Sequence, residues 1–154
     1  TMLDLYRFVS MDDVEDVLLL DRSKYAVYDE GQWLSPVGDA AQHWTMSSSA
    51  SVSTDSATRL AKMLWMEKDR TDARAVGKMT VIRGGGIRGK TDVFVAADFP
   101  DASDPVSFVG KELTLKLDTD GVVKLGIAAP GNVVKALVFQ APHYDGLLHF
   151  ELVD

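Results

Sequence analysis

The sequence predicts a single α+β domain over residues 1–154, in which two helices near the N-terminus precede a mostly antiparallel sheet. The chain has 154 residues, of which 46% are hydrophobic and 25% charged, so it can bury a core without disulfides or a structural metal. Two early segments carry helix signals, and short apolar segments alternate with turn residues after residue 77. Helices followed by a run of strands are typical of the α+β class.

The first elements are a strand over residues 3–9 and a helix over residues 11–21. The strand segment is rich in strand formers and alternates apolar and polar residues at first. Ser10 stands where a helix N-cap is expected, and two aspartates follow in the first turn, where the helix dipole favours them. Apolar residues then follow at helical spacing: Val14, Val17 and Leu18.

The second helix is predicted over residues 55–68. Thr54 would cap this helix, and Asp55 would lie at its positive end. One apolar stripe has the spacing of a helix face that packs on a core: Ala57, Leu60, Ala61, Leu64 and Trp65.

The remaining segments read as loops and strands. Residues 24–53 are loop-rich, with short strands at 25–28 and 42–46. Asp120-Gly121 is a typical hairpin turn between two strands. The predicted strands of the second half are residues 77–83, 91–97, 112–117, 122–128, 133–140 and 146–153.

Composition limits the partners and the compartment. The net charge is −7, which argues against general nucleic-acid binding because that binding depends on Lys and Arg at phosphates. The chain has no cysteine, so it has no thiol chemistry. No apolar run is long enough for a membrane span, and no signal-peptide pattern is present, so we expect a cytoplasmic protein that does not enter membranes.

A glycine-rich segment, Gly84 to Thr91, matches the phosphate-loop pattern G-x-x-x-x-G-K-[ST]. In such a loop Lys90 would contact the outer phosphates and Thr91 would bind magnesium. A phosphate loop leads into a helix, however, whereas the residues after Thr91 read as a strand that ends at Pro100. The segment is therefore interpreted as a glycine hairpin loop with two basic residues.

The three histidines are candidate ligands or catalytic groups. His143 and His149 flank a turn that contains Asp145, whereas His43 is remote in sequence. Their spacing fits no known metal motif, so we interpret them as surface residues and expect no metal. No G-x-S-x-G nucleophile elbow supports a serine hydrolase.

A distributed set of residues resembles the ADP-ribosyltransferase superfamily, which includes small bacterial and phage-borne toxin-like members. Tyr6-Arg7 lies on the predicted first strand, and His43-Trp44-Thr45-Met46-Ser47-Ser48-Ser49 follows it. A predicted helix with small residues at its start, Ala57 and Ala61, comes next. The resemblance covers residues 3–83, and no E-x-E or Q-x-E motif follows.

The resemblance implies NAD as the substrate, without a metal, and either ADP-ribosyl transfer to a protein acceptor or NAD hydrolysis. Arg7 would contact the NAD phosphates or ribose, with Tyr6 and Trp44 beside the cofactor. Ser47 would support the nicotinamide-ribose pocket, with Ser48 as the alternative.

A late glutamate would stabilise the oxocarbenium-like transition state. Glu112 has the better spacing for that role, and Glu151 is the alternative. Both glutamates can equally be solvent-facing strand residues.

A second hypothesis is a non-enzymatic binding or structural module that acts by protein–protein contact, as an inhibitor does. Residues Gly110 to Ala129 resemble the β-rich segments of phage decoration or accessory proteins. Such a module needs no catalytic glutamate, and we expect it to oligomerise or to dock through a sheet edge.

Overall fold

The computed structural model describes residues 2–6, 11–65, 77–100 and 104–153, which form two β-sheets. The first sheet has six strands in the order β1-β7-β11-β10-β8-β9, and all of its neighbours are antiparallel. Its strands are β1 (Leu3–Leu5), β7 (Arg88–Thr91), β8 (Glu112–Leu117), β9 (Val123–Ile127), β10 (Ala136–Gln140) and β11 (Leu148–Leu152).

The second sheet is a closed five-stranded barrel in the order β2-β4-β3-β5-β6. Its strands are β2 (Val14–Leu19), β3 (Trp33–Pro36), β4 (His43–Met46), β5 (Lys62–Leu64) and β6 (Lys78–Ile82). Pairing of β6 with β2 closes the barrel, and β2 with β4 is its one parallel pair among the described strands. Closure leaves the barrel without a free strand edge.

Two hydrophobic clusters stabilise the molecule, and the alternation of side chains along each strand separates them. Leu34 and Leu64 point into the barrel, whereas their neighbours Trp33 and Met63 point outwards. The outward residues pack against the inner face of the six-stranded sheet, where Phe150 is fully buried. The barrel wall therefore has a core on each side.

The α+β class predicted from the sequence is wrong. The described residues contain no α-helix, and their helical turns are short 3-10 helices. These are Met11–Asp13, Arg22–Ala26, Ser56–Leu60, Ala96–Asp98 and Pro105–Phe108.

The predicted helix over residues 11–21 is mostly strand β2. Only Met11–Asp13 form a 3-10 turn, and the strand then pairs with β6 over five consecutive residues. Val17 and Leu19 are buried in the barrel, two positions apart, as in a strand. Val14 and Val17 are three positions apart, which fits one face of a helix but opposite faces of a strand, and the ladder with β6 shows that the strand forms. Ser10, the predicted cap, lies outside the described residues.

The predicted helix over residues 55–68 is a 3-10 turn followed by strand β5. Ser56–Leu60 form the turn with Asp55 as the N-cap, and Ala61 has extended backbone angles that end it. The expected apolar face is split, because Leu60 is 58% exposed whereas Leu64 is fully buried. Thr58, which the predicted apolar stripe does not include, is buried. Residues 66–68 lie outside the described part of the chain.

Most strands predicted for the second half are confirmed. Residues 112–117 coincide with β8, and β6, β9, β10 and β11 lie inside their predicted segments. Asp120-Gly121 forms the expected turn between β8 and β9, with Gly121 at φ 82°. The predicted strand 91–97 is wrong, because the chain pairs earlier, at β7.

The first half is confirmed in part. The predicted segment 42–46 contains β4, whereas the strand predicted over 25–28 is wrong, because Arg22–Ala26 form a 3-10 turn and no strand follows over the described residues 27–32 before β3. The predicted strand 3–9 contains β1, and residues 7–9 lie outside the described residues.

Candidate functional site

The outer face of the six-stranded sheet, opposite the barrel, carries most of the candidate residues. Cross-strand pairs place side chains on one face. Arg88 on β7 pairs with Glu151 on β11. Glu151 pairs in turn with Leu137 on β10, and Leu137 pairs with Glu112 on β8. These four residues form one row across the sheet.

A hydrogen-bonded chain from Tyr6 through His149 to Asp145 lies at one end of this face. The Asp145 carboxylate accepts a hydrogen bond from Nε2 of His149 at 2.8 Å. That bond leaves Nδ1 of the neutral imidazole as an acceptor, and the Tyr6 hydroxyl donates to it. The tautomer is assigned from these partners. The two bonds hold the Tyr6 ring in one orientation.

The electrostatics favour Tyr6 as a hydrogen-bond donor rather than a nucleophile. Partial burial raises the pKa of the Tyr6 hydroxyl, the Asp145 charge raises it further, and Arg88 opposes both. The hydrogen bond from His149 lowers the pKa of Asp145. A phenol with a raised pKa stays protonated at neutral pH, whereas a nucleophilic or basic phenol needs a lowered one. The arrangement orients Tyr6 without activating it.

Aromatic and cationic groups surround the same tyrosine. Tyr6 meets the Phe139 ring edge-on at 5.9 Å, and the Arg88 guanidinium lies 4.5 Å from the centre of that ring. Arg88 also donates from Nε to Glu151 at 2.8 Å. Tyr6 and Phe139 remain 45% and 42% exposed. We call Tyr6, Arg88, Phe139 and His149 the Tyr6 patch.

The residues assigned from the transferase resemblance fall into two groups. Tyr6 and Glu112 both belong to the six-stranded sheet, but Glu112 lies three strand spacings from Arg88, about 14 Å. The alternative, Glu151, is the late glutamate next to Arg88. Arg7 lies outside the described residues.

The second group belongs to the barrel. Trp44, on β4, packs against the core inside the barrel. Ser47 follows β4 and is buried, and its hydroxyl shares a 2.5 Å hydrogen bond with the hydroxyl of Ser35. Its N–H donates to the Trp33 carbonyl at 2.9 Å. Ser48 is exposed. These contacts give Trp44 and Ser47 structural roles in the barrel.

The glycine-rich segment links the two sheets and is not the hairpin that we predicted. It leads from β6 of the barrel into β7 of the six-stranded sheet. Thr91 is fully buried, and its hydroxyl donates to the Met2 carbonyl at 2.6 Å. A Cβ at Gly89 would lie 2.9 Å from the Asp4 carbonyl oxygen, so this glycine allows β1 and β7 to approach. The phosphate-loop residues therefore have structural roles here.

The histidines do not converge. Nε2 of His143 lies 2.8 Å from the Pro100 carbonyl oxygen, and His43 contacts Asp39 at 2.5 Å. Within the described ranges, no group of three or more His, Cys, Asp or Glu is placed to hold a metal ion. Sequence reasoning missed the bond between Tyr6 and His149, which are 143 positions apart.

The edges of the six-stranded sheet are poorly suited to strand addition. Val95 donates to the Leu125 carbonyl at 2.8 Å, and the Asp98 carboxylate accepts from the N–H of Ile127 at 2.8 Å, so the outer edge of β9 is covered. The opposite edge strand, β1, is only three residues long. Short and covered edges resist pairing with another chain. The open surface of this sheet is its outer face.

Comparison with family models, curated proteins and solved structures finds no match for this chain. Among the described residues, no helix has the length and apolar character needed to cross a membrane.

Proposed function

We propose that this protein is a non-enzymatic structural module whose copies associate through the outer face of the six-stranded sheet. The Tyr6 patch supports this proposal most directly. Tyr, Phe and Arg are enriched at the centres of protein interfaces, and Tyr6 and Phe139 expose rings whose orientation is already fixed. Fixed side chains lose little conformational entropy on binding.

The distribution of charge on this face suits a second copy of the chain. Arg88 and Lys90 lie on β7, Glu112 lies on β8, and Leu137 and Phe139 lie between them on β10. A two-fold axis parallel to the strands would bring the cations of one copy over the glutamate of the other. The apolar residues of β10 would then lie beside the axis and face β11 of the other copy. Such self-complementarity is what a symmetric dimer requires.

Analytical ultracentrifugation over a wide concentration range tests this proposal. We expect the wild-type chain to dimerise reversibly and Phe139→Ser to weaken the dimer about tenfold or more, since a central aromatic is a typical hot spot. Val27→Ser removes another exposed apolar side chain, next to the barrel, and should leave association unchanged. A wild-type chain that stays monomeric at every concentration would overturn the proposal.

The resemblance of residues Gly110 to Ala129 to phage decoration and accessory proteins also supports a structural role. That role would be carried out in the cytoplasm, without nucleic acid or membrane as a partner.

NAD-dependent ADP-ribosyl transfer is the second candidate function, and one observation favours it. Tyr6, which precedes Arg7, lies on the same face as Arg88 and Glu151, so a cation and a late glutamate are neighbours. If this function holds, NAD should raise the melting temperature, and Glu151→Gln should abolish nicotinamide release while Glu112→Gln does not. Absence of NAD binding by the wild-type chain would exclude it.

A further inference from the structure

A cavity of about 120 Å³ lies between the barrel and the six-stranded sheet. The barrel contributes Trp33 and Lys62, and the six-stranded sheet contributes Leu152. Arg83 and Lys135 complete the polar part of the wall. The cavity is on the barrel side of the sheet and is therefore separate from the Tyr6 patch.

The charged side chains that line this cavity within the described ranges are all cationic: Lys62, Arg83 and Lys135. Asp13 lies beside this wall, with a carboxylate oxygen 3.9 Å from where a Cβ would stand at Gly84. Three cations around one small space favour the entry of an anion.

Lys135 is the most unusual of these cations because it is only 6% exposed. Its Nζ donates to the Arg59 carbonyl at 3.1 Å and lies 5.8 Å from the centre of the Trp33 ring. Neither contact supplies a negative charge. Burial, followed by the charge of Lys62, lowers the pKa of Lys135 to about 8. A buried ammonium normally has an anionic partner.

Trp33 supplies an independent observation. Its indole Nε1 is buried and has no hydrogen-bond partner among the described residues. Buried N–H groups are nearly always paired, so an unpaired one on a cavity wall needs an explanation. Both residues line the cavity, and among the described residues Lys135 has no carboxylate partner and the Trp33 indole has no acceptor.

We propose that this cavity binds a small oxyanion, a carboxylate or phosphate group, with Lys135, Lys62 and Arg83 as its cationic partners and the Trp33 indole as a neutral donor. An oxyanion offers several acceptor oxygens, so it can take hydrogen bonds from these groups at once. The space is too small for a nucleotide, so the ligand is a single anionic group.

Nitrogen–proton NMR of the indole signals tests the proposal directly. Trp33→Phe identifies the Trp33 signal among the three tryptophans. We titrate sodium phosphate and sodium acetate at constant ionic strength, with chloride as the reference salt. The Trp33 signal should move saturably with at least one oxyanion, whereas the Trp44 and Trp65 signals should not. The anion that saturates distinguishes phosphate from carboxylate.

Two variants assign the binding to the cavity. Lys62→Met should weaken binding about tenfold, the usual effect of losing one charge-assisted contact, and Lys135→Met should remove it. Lys24→Met changes an exposed lysine and should bind as the wild type does. Equal movement of all three indole signals, no movement of Trp33, or wild-type affinity in Lys62→Met would each overturn the proposal.

Discussion

Replacing Lys135 by methionine tests whether the buried ammonium destabilises the fold. The pKa of this group is about 8 in the folded protein, against an ordinary value of 10.5. The unfolded chain therefore holds the proton more tightly between these two values. The destabilisation is fully present below pH 8 and is relieved as the pH rises towards 10.5.

The magnitude follows from the size of the shift. A difference of about 2.5 pH units corresponds to about 3 kcal/mol in the free energy of unfolding. The variant loses the hydrogen bond to the Arg59 carbonyl, which contributes about 1 kcal/mol. We therefore expect Lys135→Met to be about 2 kcal/mol more stable than the wild type at pH 7.

Urea unfolding at a series of pH values from 7 to 10.5 provides the assay, in chloride buffers so that no oxyanion stabilises the wild type. The stability advantage of the variant should change by about 3 kcal/mol over this range, from about 2 kcal/mol at pH 7 to about 1 kcal/mol in favour of the wild type at pH 10.5, because only the wild type regains stability. Lys24→Met, an exposed lysine, should show no such trend. A difference that stays constant with pH would show that Lys135 is well solvated and would refute the reasoning.

Two further predictions test the fold. Leu64→Ala should lower the free energy of unfolding by about 2–5 kcal/mol, because Leu64 is buried in the barrel. Leu60→Ala should change it by less than about 0.5 kcal/mol, because Leu60 is 58% exposed. Similar losses for the two variants in thermal unfolding would instead favour a helix that places both residues on one face. Gly89→Ala should cost about 1–3 kcal/mol, because its Cβ would meet the Asp4 carbonyl oxygen at 2.9 Å, and Lys90→Ala should be nearly neutral in the same denaturation assay.

The strands of the second half could be predicted because their local signals and their long-range partners agree. Residues 112–117 have strand propensity, and Asp120-Gly121 supplies the turn that pairs them with the next strand. The helices could not be predicted correctly because local spacing is ambiguous in short segments. Val14 and Val17 fit a helix turn, and only pairing with β6, more than sixty positions away, decides for a strand.

The candidate site was less accessible to sequence reasoning. The sequence indicates Tyr6, but its hydrogen-bond partner His149 lies near the other end of the chain, and no local pattern links the two. The phosphate-loop pattern is set aside because a strand is expected after Thr91, whereas the structure places strand β7 within the pattern itself, at Arg88–Thr91. Lys135 gave no signal, because its burial depends on the packing of the barrel against the six-stranded sheet.

The barrel wall, with a core on each side, has a consequence for how the protein unfolds. Neighbouring residues such as Trp33 and Leu34 are anchored in different cores, so strand β3 cannot leave one core without disturbing the other. The same holds for Met63 and Leu64 on β5. Loss of either cluster therefore removes support from the other. We expect the barrel and the six-stranded sheet to melt in one cooperative transition, in which the calorimetric and van't Hoff enthalpies agree.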